Sequence, residues 1–305
     1  MRRRSGDLAA VAYIGGIASL AQATGVATVL FPELGALAHD VFTRPRGAWA
    51  RAPLLLVVTP VLTAVVGTLI ARTTDYGLFS VLLTVGIALV VIRLLKSPIA
   101  PAISAGLLPV TLGVTSWWYP PAIVLGTSLL AALSLLWIRM VPHHPGSATV
   151  AEAADDHPDL SSADYSWIPY FLAFLVLDGI LAGFTGWRFL LYPPLVVIGF
   201  EMFAHSAACP WADRPLMVPV ACTASGAIGV AVLTLMGPGP LAAMASMVGG
   251  IIILRLLALH APPALAVGLL PFVIDHTDAR FPVAVGIGTL VLTASFLLWR
   301  RRAAG

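Results

Sequence analysis

Two carboxylates, two arginines and a histidine stand where an apolar chain accommodates them least easily. Asp40 and Glu201 each lie inside a short apolar segment opened by an aromatic residue and a proline, Phe31-Pro32 in one place and Tyr192-Pro193 in the other. A carboxylate so placed is costly in a membrane and suits proton coupling or pairing with a cation. The plainer alternative is that each snorkels to the cytoplasmic surface and pairs with Arg44, Arg46 or Arg214. Arg93 and Arg255 each precede a run broken by prolines, Ser97-Pro98-Ile99-Ala100-Pro101 and His260-Ala261-Pro262-Pro263. A helix interrupted in this way frees backbone groups and leaves half-helix ends that can coordinate a solute near the bilayer midplane. Ser97-Pro98 reads as a capping hydroxyl followed by a first-turn proline. The N-terminus of the short helix it would open suits an anion, and His260 with Pro262 and Pro263 holds the equivalent place. Arg93, Ser97, Pro98, Pro101, Arg255, His260, Pro262 and Pro263 are therefore the candidate solute-binding residues, with Asp40 and Glu201 as candidates for coupling. In the alternative reading the prolines only shape helix ends and the arginines anchor them at the interface. His39 and His205 flank the acidic positions without matching each other, and read as local hydrogen-bonding residues.

These residues come in pairs because the chain repeats itself. At an offset of 162, identities include Pro53/Pro215, Gly67/Gly229, Arg93/Arg255, Pro101/Pro263, Gly106/Gly268, Pro109/Pro271, Pro120/Pro282, Gly126/Gly288 and Trp137/Trp299. At an offset of 161 they include Gly25/Gly186, Pro32/Pro193 and Phe42/Phe203. Chance apolar similarity does not keep Gly, Pro, Arg and Trp in one register, so the pattern predicts a tandem duplication of a unit of about 135 residues. The run from Leu8 to Leu30 behind Arg2 to Arg4 has the look of a signal peptide. Its counterpart, residues 168–191, lies in mid-chain, which makes both of them retained spans.

With 59% hydrophobic and 10% charged residues and a mean hydropathy of +0.95, the chain falls outside the soluble globular range and reads as an all-α polytopic membrane protein with the lipid bilayer as its first partner. The expected organisation is a first membrane repeat over residues 1–139, a polar acidic linker over 140–167 and a second repeat over 168–305. Each repeat has four full-length helices and two short or broken ones. If all six segments of each repeat cross, 14 of the 17 Lys and Arg fall on one side, and only Arg72, Arg188 and Arg280 on the other. If the short segments merely dip in and return, the division is 8 to 9. The positive-inside rule selects the first arrangement. It gives parallel repeats about an axis along the membrane normal, with both termini cytoplasmic in what reads as a bacterial plasma membrane. Stretches rich in small residues, Thr59 to Gly67, Ala221 to Gly229 and Ala242 to Gly250, provide faces for close helix packing. Trp117, Trp118, Tyr119, Trp187 and Trp299 lie at predicted boundaries, as in an aromatic belt.

The net charge of +3 reports orientation and calls for no nucleic-acid partner. Cys209 and Cys222 fit no CxxC or Cys/His ligand spacing and read as buried thiols. His143, His144 and His157 sit among linker carboxylates with no ligand spacing, so neither a metal nor a cofactor is expected. Walker, dinucleotide-binding, GxSxG and HExxH motifs are lacking, which argues against ATP-driven transport by this chain alone. A homo-oligomer is compatible with all of this.

The succession of an Arg-containing loop, a Gly-containing helix and a proline-broken segment resembles the HPP family of small integral membrane proteins, named for a His-Pro-Pro motif. Pro262-Pro263-Ala264 matches the Pro-Pro-Ala part of that motif, with His260 displaced by one residue to give His-Ala-Pro-Pro. Ser97-Pro98-Ile99-Ala100-Pro101 departs further and has no histidine. Members are assigned as transporters, some of nitrite. The resemblance therefore implies a secondary transporter or channel for a small solute of the inorganic-anion class, with its site between the repeats. The residues alone leave open a membrane-embedded enzyme using Asp40, Glu201 and nearby histidines, or a structural or accessory subunit. The enzyme reading expects those carboxylates and histidines to converge within about 5 Å in one wet cavity, within reach directly or through one water.

Overall fold

The computed structural model describes residues 2–141 and 165–303, and among them every regular element is helical. Twelve α-helices follow one another: α1 Arg2–Thr24, α2 Glu33–Thr43, α3 Pro53–Thr73, α4 Leu78–Leu95, α5 Ala102–Leu112, α6 Tyr119–Met140, α7 Ile168–Thr185, α8 Pro193–Ala204, α9 Met217–Met236, α10 Pro240–Leu256, α11 Pro263–Leu269 and α12 Arg280–Ala303. Six of them, α3, α4, α6, α7, α9 and α12, are long and apolar enough to cross a membrane. That makes the chain an integral membrane protein. The linker histidines 143, 144 and 157 and the carboxylates between 152 and 164 lie outside the described residues.

Burial separates the helices into two kinds. In the short helices α2, α5 and α11 nearly every side chain is buried, and in α8 the exception before its last residue is Glu201. The long helices instead leave apolar faces open, as with Phe79, Val90 and Leu94 on α4 and Leu172, Leu177 and Phe184 on α7. A helix hydrophobic all round belongs inside, and one with an uncovered apolar face belongs against lipid. The four short helices form the centre: α2 packs on α11, α11 on α8 and α8 on α5, and Ser104 of α5 donates a 2.6 Å hydrogen bond to Glu33 of α2.

The small-residue stretches let the long helices approach this centre. Gly67 of α3 lies on the backbone of Gly106 in α5, and Gly229 of α9 lies on that of Gly268 in α11, so a Cβ at either would collide with a carbonyl oxygen. Ser246 of α10 donates to the Gly268 carbonyl at 2.7 Å. Trp117 and Trp118 are exposed at a helix start, as a belt requires, whereas Tyr119 and Trp299 are buried. Tyr119 is drawn inward by donating to the Ala105 carbonyl at 2.8 Å.

Each short helix reaches only part of the way through the bundle. Gly6 of α1 packs on the Phe42 carbonyl at the end of α2, and Glu33, nine residues back, lies about 14 Å deeper. Residues 25–32, between α1 and α2, hold a 3-10 turn at Ala27–Val29. At α5 the order is reversed. Thr59, early in α3, donates to Ser97 at 2.8 Å, while Arg72, late in α3, donates to the Thr115 carbonyl just beyond α5 at 2.6 Å. The chain from Ser97 to Thr115 thus runs beside α3 in the same direction.

Ser97-Pro98 does not open α5, which begins only after Pro101. The residue before a proline avoids helical geometry, so Ser97 and Ala100 are both held out of it, and the Ser97 hydroxyl instead accepts the Ile99 N–H at 3.2 Å. Pro262 and Pro263 are adjacent, and α11 starts directly on the second. Before both segments the chain turns through a left-handed residue, Lys96 and Ala258, each with φ 48°. These two are the only non-glycine residues with positive φ among those described, and they stand 162 residues apart.

Candidate functional site

A chain of six charged or titratable side chains joins the first part of the molecule to the last. Arg255, at the end of α10, pairs with Asp7 of α1, and the other Asp7 oxygen stands 3.2 Å from Nε2 of His39 on α2. The His39 and His260 rings face each other with centroids 6.0 Å apart. His260 Nε2 stands 3.3 Å from Oδ1 of Asp40, and Arg44, one turn on, donates to the same oxygen through Nε at 2.8 Å and Nη2 at 2.6 Å. The order is Arg, Asp, His, His, Asp, Arg.

Local structure explains the assembly. His39 and Asp40 belong to the last two turns of α2, and Arg44 follows its end. Ala258 in its left-handed conformation turns the chain sharply after α10, and Leu259 closes the turn by donating to the Leu254 carbonyl at 2.9 Å. His260 is thereby brought beside Asp40 before Pro262 and Pro263 restart the helix. The side chains grade from half-exposed Arg255 (48%) to fully buried Asp40. A carboxylate at that depth requires paired charge or hydrogen bonds, and Arg44 and His260 supply them. Two buried atoms in the group have no partner, Asp40 Oδ2 and His39 Nδ1. Each imidazole keeps one nitrogen on a carboxylate, which orients the ring and leaves the other nitrogen to exchange a proton or meet a small polar solute. No group of three or more His, Cys, Asp or Glu among the described residues is placed to hold a metal ion.

The candidates from sequence divide unevenly. Arg255, His260 and Asp40 come together, and His39 joins them as a long-range partner of Asp7 rather than a local hydrogen-bonding residue. Glu201 lies elsewhere, 3.0 Å from His205, the residue that follows its helix. Arg93 donates to the Tyr165 hydroxyl at 2.7 Å and lies over its ring, so the two arginines do not converge on one solute. Ser97 bonds Thr59 and Ile99, while Pro98, Pro101, Pro262 and Pro263 act by setting where helices start. Asp40 lies within reach of His260, while Glu201 lies apart from both, so the two carboxylates do not converge as the enzyme reading expects.

Asp7, Glu33 and Asp178 are functional candidates that sequence reasoning passed over. Asp178 on α7 is fully buried, with neither carboxylate oxygen partnered. Glu33 opens α2 at 1% exposure with Oε2 unpartnered. The signal was present, since each is a lone acid in an apolar run. No family model matches the chain, and neither a characterised protein nor a solved structure does.

Proposed function

We propose that this chain is a secondary transporter, or a channel, for a small inorganic anion of the nitrite class, built from two parallel repeats over residues 1–139 and 168–305. The observation that carries the reading is the Arg255–Asp7–His39 and His260–Asp40–Arg44 chain. It spans helices from both halves, is partly buried, and lies just ahead of a proline-broken segment. Ionisable groups inside a bundle of this kind mark ion or solute pathways. The duplication is supported by the matched glycine contacts, Gly67 on Gly106 and Gly229 on Gly268, and by the matched left-handed residues Lys96 and Ala258. The anion class rests on the resemblance of Pro262-Pro263-Ala264 and its shifted histidine to the HPP family. The concentration of Lys and Arg at one set of helix ends supports cytoplasmic termini in a bacterial plasma membrane.

The test is nitrite uptake by purified protein in liposomes, at a pH where nitrite is ionised. Wild type accumulates nitrite above empty vesicles, and Arg255→Ala and His260→Ala reduce the rate. Uptake by wild type no faster than by empty vesicles overturns the proposal. A membrane-embedded enzyme is the second reading, favoured by the Asp40–His260 and Asp7–His39 pairs, since a carboxylate that orients an imidazole is the arrangement of a general base.

A further inference from the structure

We propose that Glu33 is a proton-binding site in the membrane interior and the proton-coupling carboxyl of this protein, an inference that rests in its second half on the transport reading above. Glu33 occupies the first turn of α2, about 14 Å from the end of that helix, in the centre formed by the short helices. Its side chain has one hydrogen bond, accepted by Oε1 from Ser104 Oγ at 2.6 Å. Oε2 is buried with no partner among the described residues. The elements that pack on α2 or supply its partner are α1, α5, α6 and α11. Tyr119, at the start of α6, donates to the Ala105 carbonyl, and Tyr13 of α1 lies against Phe42 and donates to the Gly126 carbonyl at 2.8 Å. Ser104 is the contribution of α5, and α11 brings apolar residues only, Leu269 packing against Gly35. Asp7, His39, Asp40 and Arg44 lie toward the far end of α2. None of these neighbours supplies a cation to Glu33.

A carboxyl in this setting needs its charge taken up by a ligand from outside. A hard metal cation takes about six or more oxygen ligands, whereas Glu33 has a single hydroxyl beside it. A proton needs only the free oxygen, Oε2. The position also lies between two features of the bundle. Glu33 and Asp40 are seven residues apart on one helix, hence on the same face and about 10 Å apart, so α2 carries an acid at the depth of the centre and another in the histidine network. Toward the other face, a cavity of about 270 Å³ is lined by Ala18, Gln22, Gly239, Phe272 and Leu30, the last of these three residues before Glu33. A proton held at Glu33 is therefore placed between that cavity and the His39–His260 pair.

The first experiment needs no substrate. Full-length protein in phosphatidylcholine and phosphatidylglycerol vesicles is treated with dicyclohexylcarbodiimide, a lipid-soluble reagent that adds to protonated carboxyls in apolar surroundings. Peptide analysis should find an adduct on Glu33, whether or not the buried Asp178 also reacts. Glu33→Gln should abolish it, and Glu33→Asp, which keeps the acid, should retain it. An adduct confined to Asp178 or Glu201, or no adduct on wild type, overturns the proposal whatever the folding of the variants. The second experiment follows nitrite together with internal pH, reported by a trapped dye. Wild type should move both. Glu33→Gln should retain nitrite exchange within about twofold while proton movement falls at least tenfold. Nitrite movement by wild type without any pH change overturns the coupling role. Absence of nitrite movement by wild type overturns the transport reading, and the labelling result then decides the proton site alone.

Discussion

The corner around Asp40 and the corner around Glu201 are built on matched positions and do opposite things. Each has an acid on the last turns of a short helix, a basic residue four places on, and an arginine ahead of a proline-broken segment: Asp40, Arg44 and Arg255 in one, Glu201, His205 and Arg93 in the other. In the first, His39 and His260 fill the remaining places, Asp7 approaches from α1, and the acid is fully buried. In the second those places are taken by Phe200 and Pro98. Phe200 packs edge-on against Trp167 and His205, and the Glu201 and His205 side chains stay 15% and 28% exposed. The first corner is thus a buried chain of charged and titratable groups, and the second a partly exposed pair capped by an aromatic ring. Between the matched positions five side chains differ, and with them the polarity of the corner.

Removing the two acids should separate the corners most sharply. Asp40→Ala removes the fully buried carboxylate shared by Arg44 and His260 and is expected to cost about 3–5 kcal/mol, whereas Glu201→Ala, in a pair that is 15% and 28% exposed, should cost less, about 1–2 kcal/mol. Titration of both variants with sodium dodecyl sulfate in mixed micelles measures this, and equal losses would end the distinction. Next come the features that the halves share. Gly67→Ala and Gly229→Ala each force apart a helix pair in contact at the backbone and should each cost about 1–3 kcal/mol. A large difference between them in the same titration would mean that the two close approaches are not equivalent. In nitrite uptake, Arg255→Ala should slow transport severalfold while Arg93→Ala leaves it unchanged, because only Arg255 belongs to the buried chain. The smallest effect is expected of Tyr165→Phe, which removes an exposed hydrogen bond to Arg93 and should shift stability by less than about 0.5 kcal/mol.

The membrane class, the helix sequence and the central place of the proline-broken segments were legible because composition, length and proline placement act locally. The start of α5 was not. The serine-proline pair at 97 and 98 is a valid helix opening in isolation, and only the second proline, at 101, delays the helix by excluding Ala100 from it. The site was half legible. Looking for residues that recur across the chain picked out Asp40, Glu201, Arg93 and Arg255, but recurrence selects what the corners have in common. Asp7, His39 and His260 have no acidic or basic counterparts at their matched positions, Ile168, Phe200 and Pro98. Glu33 and Asp178 were hidden in the same way, by Pro194 and Ile17. Pairings such as Asp7 with Arg255, 248 residues apart, are set by how α1 lies on α10, which no local pattern encodes.

The short helices also bear on how such a chain is made. The stretches at residues 25–32 and 96–101, which fall outside the α-helices, carry backbone groups that cannot face lipid, so each must be enclosed by protein. For α2 that enclosure includes α11, and for α5 it includes α8, both of which are synthesised after the acidic linker. In the finished fold the second half of the chain therefore supplies the inner wall of the first. The centre of this molecule is complete only when residues from both sides of the acidic stretch are in place.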